Sequence, residues 1–239
     1  MRSARAATAG AVLLVLALAG PAVASTAPAT ERGVLSNQQD TTRWAHATSE
    51  AIVHARPDGR SRASGRLRRR TEDGRPEVYV AIRTGGTDDA WVQVELPRRP
   101  NGSRGWVPAY ALGPLHLRRT VLTIDRARRT AVLKDAGRTI WRSRVGVGKA
   151  STPTPAGRFY IREGLRLRSR DGIYGPYAFG TSAYSVLSDW PGGGVIGIHG
   201  TNQPELIPGS PSHGCVRVPN DAMRRLAKRM PIGTRVVIR

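Results

Sequence analysis

The segment Ser212-His213-Gly214-Cys215-Val216-Arg217 holds the residues best suited to chemistry: Cys215 is the only cysteine of the 239-residue chain, and a histidine stands two positions before it. A lone cysteine cannot close an internal disulfide. His199 lies sixteen residues upstream, at the end of the apolar run Val195-Ile196-Gly197-Ile198, which reads as a buried strand delivering it to a loop. One thiol and two imidazoles so grouped point to nucleophilic attack on a carbonyl. A free thiol is mostly protonated near neutral pH, so such a site needs an imidazole or a positive field beside the sulfur to ionise it. If residues 213–218 are extended, side chains alternate, and His213, Cys215 and Arg217 share one face. Gly214 has no side chain, which leaves the N–H groups of Gly214 and Cys215 open toward a substrate oxygen as an oxyanion hole. His199 then reaches Cys215 from a neighbouring strand end as general base, its ring held by the backbone carbonyl of Gly200.

The elements that must position these residues are mostly strands. Val121–Asp125 and Thr130–Lys134 flank a short polar turn as a hairpin would, followed by a strand through Trp141 to Val147. Gly148–Gly157 is a Thr-Pro-Thr-Pro loop, stiffened by its prolines, leading into Arg158–Ile161. One helix is predicted near the end. Asn220 caps it, Asp221 suits its first turn, and Met223, Leu226, Ala227 and Met230 form its apolar stripe. A strand over 234–238 closes the chain. Upstream, between Ala45 and Leu112, short β-rich pieces alternate with turn signals at Gly59, Gly74, Gly85-Gly86 and Pro100-Asn101-Gly102, the grammar of a small all-β barrel or sandwich. Trp91 and Trp106 on its strands are expected in the core rather than as a ligand-stacking pair. Gly113-Pro114 marks the boundary, and the second β unit starts at Arg118.

Composition bounds the partners. The formal net charge is +21, and only three of the 38 basic residues are lysine, leaving 35 arginines scattered over every segment. No zinc-finger spacing, basic helix or aromatic ribonucleoprotein motif organises them for specific nucleic-acid reading, so an arginine-rich genome composition plus an anionic neighbourhood explains them more economically, with anionic wall polymers as a secondary reading. Arg2 and Arg5 precede an apolar stretch over Ala9–Ala19, and Pro21-Ala22-Val23-Ala24 supplies a cleavage site. Residues 1–24 therefore read as a secretory signal peptide, with an uncleaved signal anchor as the alternative. Residues 25–44 read as a flexible linker. A single unpaired cysteine in an extracytoplasmic chain is most readily explained by catalysis.

His199-Gly200-Thr201-Asn202, a loop with Gly209, and Ser212-His213-Gly214-Cys215-Val216-Arg217 closely resemble the signature of the L,D-transpeptidase (YkuD) family of cell-wall enzymes. The resemblance covers residues 118–239. It implies a mostly β, partly closed sandwich with one main helix and a cysteine site under a lid loop. By that resemblance Cys215 is the nucleophile that attacks peptidoglycan stem peptides and forms a thioester, and His199 takes its proton. The family's second histidine falls on His213 and its serine on Ser212, in supporting roles. Arg217 anchors a substrate carboxylate or braces the loop, and the tyrosine of the acyl pocket falls on Tyr177 or Tyr184, with Tyr184 the chosen substrate-binding candidate. Many members carry serine after the first histidine; Gly200 keeps the carbonyl there but is expected to loosen the loop. Residues 45–113 look like the SH3-like domain preceding this catalytic domain in some actinobacterial members. No cofactor is expected. Three other readings compete: a zinc hydrolase using His199, His213 and Cys215, which lacks a supporting motif; an L,D-carboxypeptidase-type hydrolase; and a non-catalytic cell-wall-binding protein.

Overall fold

Alternating burial along the strands builds two sheets. In the computed structural model, which describes residues 33–37, 39–169, 172–189 and 191–239, the first sheet has seven strands: β1 (Thr42–His46), β2 (Ile52–His54), β3 (Ala63–Arg66), β4 (Val78–Gly85), β5 (Trp91–Glu95), β6 (Arg104–Pro108) and β7 (His116–Arg118). Their order is β3-β2-β6-β5-β4-β1-β7. The alternation in β4 sends its side chains to two places. Tyr79 and Ala81 join the sheet's own core with Val53, Leu67, Val94 and Val107, while Val78 and Val80 pack with Trp44 and with Tyr160 of the second sheet.

The second sheet has ten strands: β8 (Thr120–Asp125), β9 (Thr130–Asp135), β10 (Arg138–Arg144), β11 (Gly146–Gly148), β12 (Gly157–Arg166), β13 (Tyr177–Tyr184), β14 (Val195–His199), β15 (Gly209–Ser212), β16 (Val216–Arg217) and β17 (Arg235–Ile238). Their order is β10-β9-β8-β17-β12-β13-β14-β16-β11-β15. The closing strand β17 inserts between β8, to which it is parallel, and β12, to which it is antiparallel. The chain's last strand thus lies at the centre of its sheet. In β8, Leu122 and Ile124 point into a core shared with Ile161, Ile196, Ile198 and Val236. Helix α1 (Asn220–Ala227), the one α-helix among the described residues, seals this core with Ala222, Met223 and Leu226, and Trp141 Nε1 donates to the Ala222 carbonyl at 3.0 Å.

The two sheets meet across a polar seam, and the described residues fall within one compact unit. Arg162 of β12 is fully buried and pairs with Glu77, also fully buried, and with Glu72 at 2.9 Å. Arg235 of β17 donates to both carboxylate oxygens of Glu95 at 2.9 and 2.7 Å, and Tyr160 donates its phenol to the Val78 carbonyl at 3.0 Å. Charges this far from water persist only when matched.

Several expectations need correction. The described part of the expected linker is packed rather than flexible. Ser36 is buried and bonds the Ala81 carbonyl, Leu35 N–H bonds Ile82, and Thr42–Trp44 belong to β1. Polar composition hid this, because the polar side chains are consumed locally. The boundary between the sheets falls after Arg118, which pairs with Thr42 in the first sheet. The helix N-cap is Pro219, not Asn220. Trp106 is buried, as expected of a core residue, whereas Trp91 is only partly covered. Residues 1–24 lie outside the described residues.

Candidate active site

Strand β14 and the turn before β16 deliver the two reactive groups to one place. Ile198 and His199 pair with Val216 and Arg217 in parallel register, so the end of β14 stands beside the segment that follows Cys215. Gly197 separates them: a methyl group placed on its Cα would lie 3.6 Å from His199 Cδ2 and 3.7 Å from Cys215 Sγ. The absence of a side chain there opens the space between imidazole and sulfur. The Gly197 N–H donates to Cys215 Sγ at 3.3 Å. Among the described residues no hydrogen bond joins the His199 ring to the sulfur.

His199 is buried, and its Nδ1 lies 2.6 Å from the Gly200 carbonyl oxygen. A carbonyl only accepts, so Nδ1 carries the proton and Nε2 is left with a lone pair, the tautomer a general base needs. Burial, and then the Arg217 charge, overcome the Gly200 bond and lower the imidazole pKa to about 4. Cys215 is half-buried. Burial raises its thiol pKa against the opposing pull of the Gly197 N–H and Arg217. The resting pair is therefore a neutral thiol and a neutral imidazole.

Gly200 does not loosen the loop. Its Cα faces Gly175 and Pro176, and a Cβ on it would meet Pro176 Cδ at 2.9 Å and collide with Asn220 Oδ1. Asn220 Oδ1 in turn accepts from the Thr201 N–H at 2.9 Å. The residue expected to cap the helix instead pins the turn that carries His199, a role visible only once the helix start is docked under that turn.

Ser212 and Thr154 fix the cysteine's own turn. Ser212 Oγ donates to the Cys215 carbonyl at 2.6 Å and accepts from the Gly214 N–H at 3.2 Å. The Gly214 N–H is thus occupied, which removes it as an oxyanion donor and leaves the Cys215 N–H of the expected pair. Gly214 sits at φ 124°, open to glycine and strained for other residues. Thr154, from the Thr-Pro-Thr-Pro loop, donates to the Gly214 carbonyl at 2.8 Å and accepts from the Gly148 N–H at 2.8 Å; sequence reasoning gave it no role.

His213, Cys215 and Arg217 line one pocket together with His199 and Ser212, but not through the expected alternation: residues 213–214 form a bend with Gly214 at φ 124°, and strand begins only at Val216. Arg217 Nη1 donates to Gln203 at 2.9 Å, while its buried Nε has no partner among the described residues. The guanidinium therefore braces the loop. Tyr184 is not in this pocket. It ends β13 facing the first sheet, where its phenol donates to the Pro97 carbonyl at 2.8 Å and Asn101 bonds its backbone N–H and C=O, each at 2.9 Å. The tyrosine at the site is Tyr174, whose ring stands edge-on to His199 with centroids 4.9 Å apart. Among the described residues no group of three histidine, cysteine or acidic side chains is arranged to hold a metal ion.

Comparison with known proteins matches residues 119–238 to the family model of the YkuD L,D-transpeptidase catalytic domain. The putative L,D-transpeptidase YkuD of Bacillus subtilis is 39% identical over 94 residues, 39% of this chain and 50% of that protein. The putative L,D-transpeptidase YqjB of the same organism is 33% identical over 104 residues, 39% of this chain and 56% of that protein. The chain thus spans about half the length of the curated relatives it matches. The solved catalytic domain of the E. faecium L,D-transpeptidase is 25% identical, with 52% of this chain and 99% of that one covered at a TM-score of 0.37. With the family model spanning 120 of 239 residues, the chain belongs to the YkuD family of L,D-transpeptidase catalytic domains.

Proposed function

We propose that the chain is a secreted L,D-transpeptidase that acts on peptidoglycan stem peptides through a thioester on Cys215. The observation that carries this reading is the placement of the His199 ring, with Nε2 unprotonated, and the Cys215 sulfur on either side of the side-chain-free Gly197. In the first half-reaction Sγ adds to the carbonyl carbon of the L,D bond as its proton passes to His199 Nε2. The Cys215 N–H receives the charge developing on the oxygen. The C–N bond then breaks, His199 returns the proton to the leaving amine, and the thioester remains. An incoming amine attacks that thioester, losing its proton to His199 as the C–S bond breaks, and the proton ends on the sulfur. An amine from a second stem gives a cross-link, a free D-amino acid gives exchange, and water gives hydrolysis.

Secretion rests on the charged and apolar pattern of residues 1–24, and the SH3-like reading of residues 45–113 on short strands punctuated by turns. Anionic wall polymers fit the +21 charge. The assay is exchange of a D-amino acid into a tetrapeptide. Cys215→Ala abolishes exchange while thermal melting is retained, and His199→Ala lowers the rate by ~10²–10⁴-fold. A Cys215→Ala protein that still exchanged would refute the reading.

A further inference from the structure

The segment after β3 and the turn after β5 carry more positive charge than their surroundings match. Residues 66–75 hold five arginines against Glu72 and Asp73, and Arg98 and Arg99 follow β5. Arg66, Arg68, Arg98 and Arg99 converge on one cleft of about 330 Å³ that also reaches Tyr184 and Gly193. The one carboxylate lining it, Glu72, is already taken by Arg68 at 3.2 Å and by the buried Arg162 at 2.9 Å. Arg66, Arg98 and Arg99 have no carboxylate partner among the described residues, and the exposed Asp73 and Asp189 pair with none of them.

Two of these guanidinium groups are fixed by neutral acceptors, which hold the group without cancelling its charge. Arg98 crosses β3 at Gly65, where a methyl group would collide with its Nη1, and donates to the Ser64 carbonyl. Arg99 donates to the carbonyls of Ser185, Leu187 and Gly193, and its Cζ stands 4.9 Å from the centre of the Tyr184 ring. A side chain ordered in advance loses little freedom when it takes an anion. Arg66, exposed at the end of β3, supplies a third fork whose guanidinium has no hydrogen bond among the described residues. The loop gripped by Arg99 also gives Ser185 and Gly194 to the Cys215 pocket, so cleft and pocket share that segment.

We propose that this cleft binds the phosphodiester groups of an anionic polymer through Arg66, Arg98 and Arg99, and so holds the protein on a polyanion with the Cys215 pocket beside it. A guanidinium fork matches two phosphate oxygens at once. A lone oxyanion would occupy one or two of the forks, whereas phosphodiesters repeated along a chain engage all three and continue onto the basic run at 68–70, each contact raising the effective concentration of the next. A concave cleft admits a chain and excludes the flat face of a bilayer. The site is separate from the thioester chemistry and does not depend on it.

The test uses the full chain and a fluorescent glycerol-phosphate oligomer at ~0.15 M salt, where distant charges are screened beyond about 8 Å. The wild-type protein binds it, and replacing the pair Arg66→Gln and Arg98→Gln weakens binding by ~10-fold or more. The pair Arg66→Lys and Arg98→Lys keeps the charge but recovers only part of the affinity, because an ammonium lacks the fork. The pair Arg225→Gln and Arg229→Gln removes the same charge from the exposed surface at the end of α1 and changes affinity by less than ~3-fold. None of these four arginines is buried, and thermal melting checks that each variant folds. Equal losses from the two glutamine pairs would reduce the site to general charge, and poly-L-glutamate of matched length binding as tightly would remove the preference for phosphate; either result overturns the proposal. So does a wild-type protein that fails to bind the oligomer, whether or not it captures vesicles of phosphatidylglycerol. Cys215→Ala binds the oligomer as the wild type does, so the cleft can fail while the transpeptidase reading stands.

Discussion

The two sheets treat buried polar groups differently. In the first, the interior made by Tyr79, Ala81, Val94 and Val107 is apolar, and its buried carboxylates, Glu77 and Glu95, point outward into the seam. The second sheet has an apolar core of its own but carries His199, Thr154 and Ser212 buried beside the cysteine, each bonded to a backbone carbonyl. The first sheet also buries Ser36 and His54 against backbone carbonyls, but only the second gathers such groups around a cysteine. The difference also shows what the first sheet does for the second. Arg99, from the turn after β5, donates to the carbonyls of Ser185, Leu187 and Gly193 at 3.0, 2.7 and 2.9 Å, and the neighbouring Asn101 holds Tyr184. Ser185 Oγ in turn donates to the His213 carbonyl at 3.2 Å. Residues outside the family-matched region thus hold a wall of the pocket.

The strongest way to break this comparison is to cut the seam. Glu77→Ala leaves Arg162 buried against Glu72 alone, and losing one partner of a buried pair costs about 3–5 kcal/mol. Chemical denaturation should register that loss, and activity measured well below the new midpoint should fall as the pocket wall loosens. A loss below ~1 kcal/mol, the size expected of a surface pair, would mean the sheets are independent.

A smaller effect sharpens the contrast from the side of the site. His199 is lowered to about 4, chiefly by burial, so the base is already neutral above that pH and protonates only below it. kcat/KM, which reports the free enzyme, is then level above ~pH 5 and falls in acid with a midpoint near 4. A midpoint near the ordinary histidine value of about 6.5 would show a solvated ring and a site as open as the surface.

Much of this was legible in the residues. The run before His199 is strand β14 and the apolar stripe of the helix is buried at Met223 and Leu226, whereas the helix stops at Ala227, short of Met230, and the expected extended run from His213 is a bend that becomes strand only at Val216. What escaped depends on partners distant in sequence. Tyr184 and Tyr174 are chemically equal in the chain; only the seam, by engaging Tyr184 with Pro97 and Asn101, decides between them. Asn220 suits a helix cap by local rules, yet Thr201, nineteen residues away, claims its oxygen. The Gly214 N–H reads in the chain as open to an oxyanion, yet the Ser212 hydroxyl, two residues away, engages it. The cross-strand row of Glu163, Gly180 and Gly197 has no sequence signature, because it exists only in the register of β12, β13 and β14.

The most direct test of the covalent mechanism is the intact mass of the protein quenched in acid after brief mixing with a tetrapeptide donor. The account predicts a mass gain equal to the donor less its free terminal D-amino acid, which carries away the thiol hydrogen, mapped to Cys215, lost on hydroxylamine treatment and absent from Cys215→Ala. An enzyme that turned over this donor with no adduct at any quench time, or with the same adduct on Cys215→Ala, would contradict it.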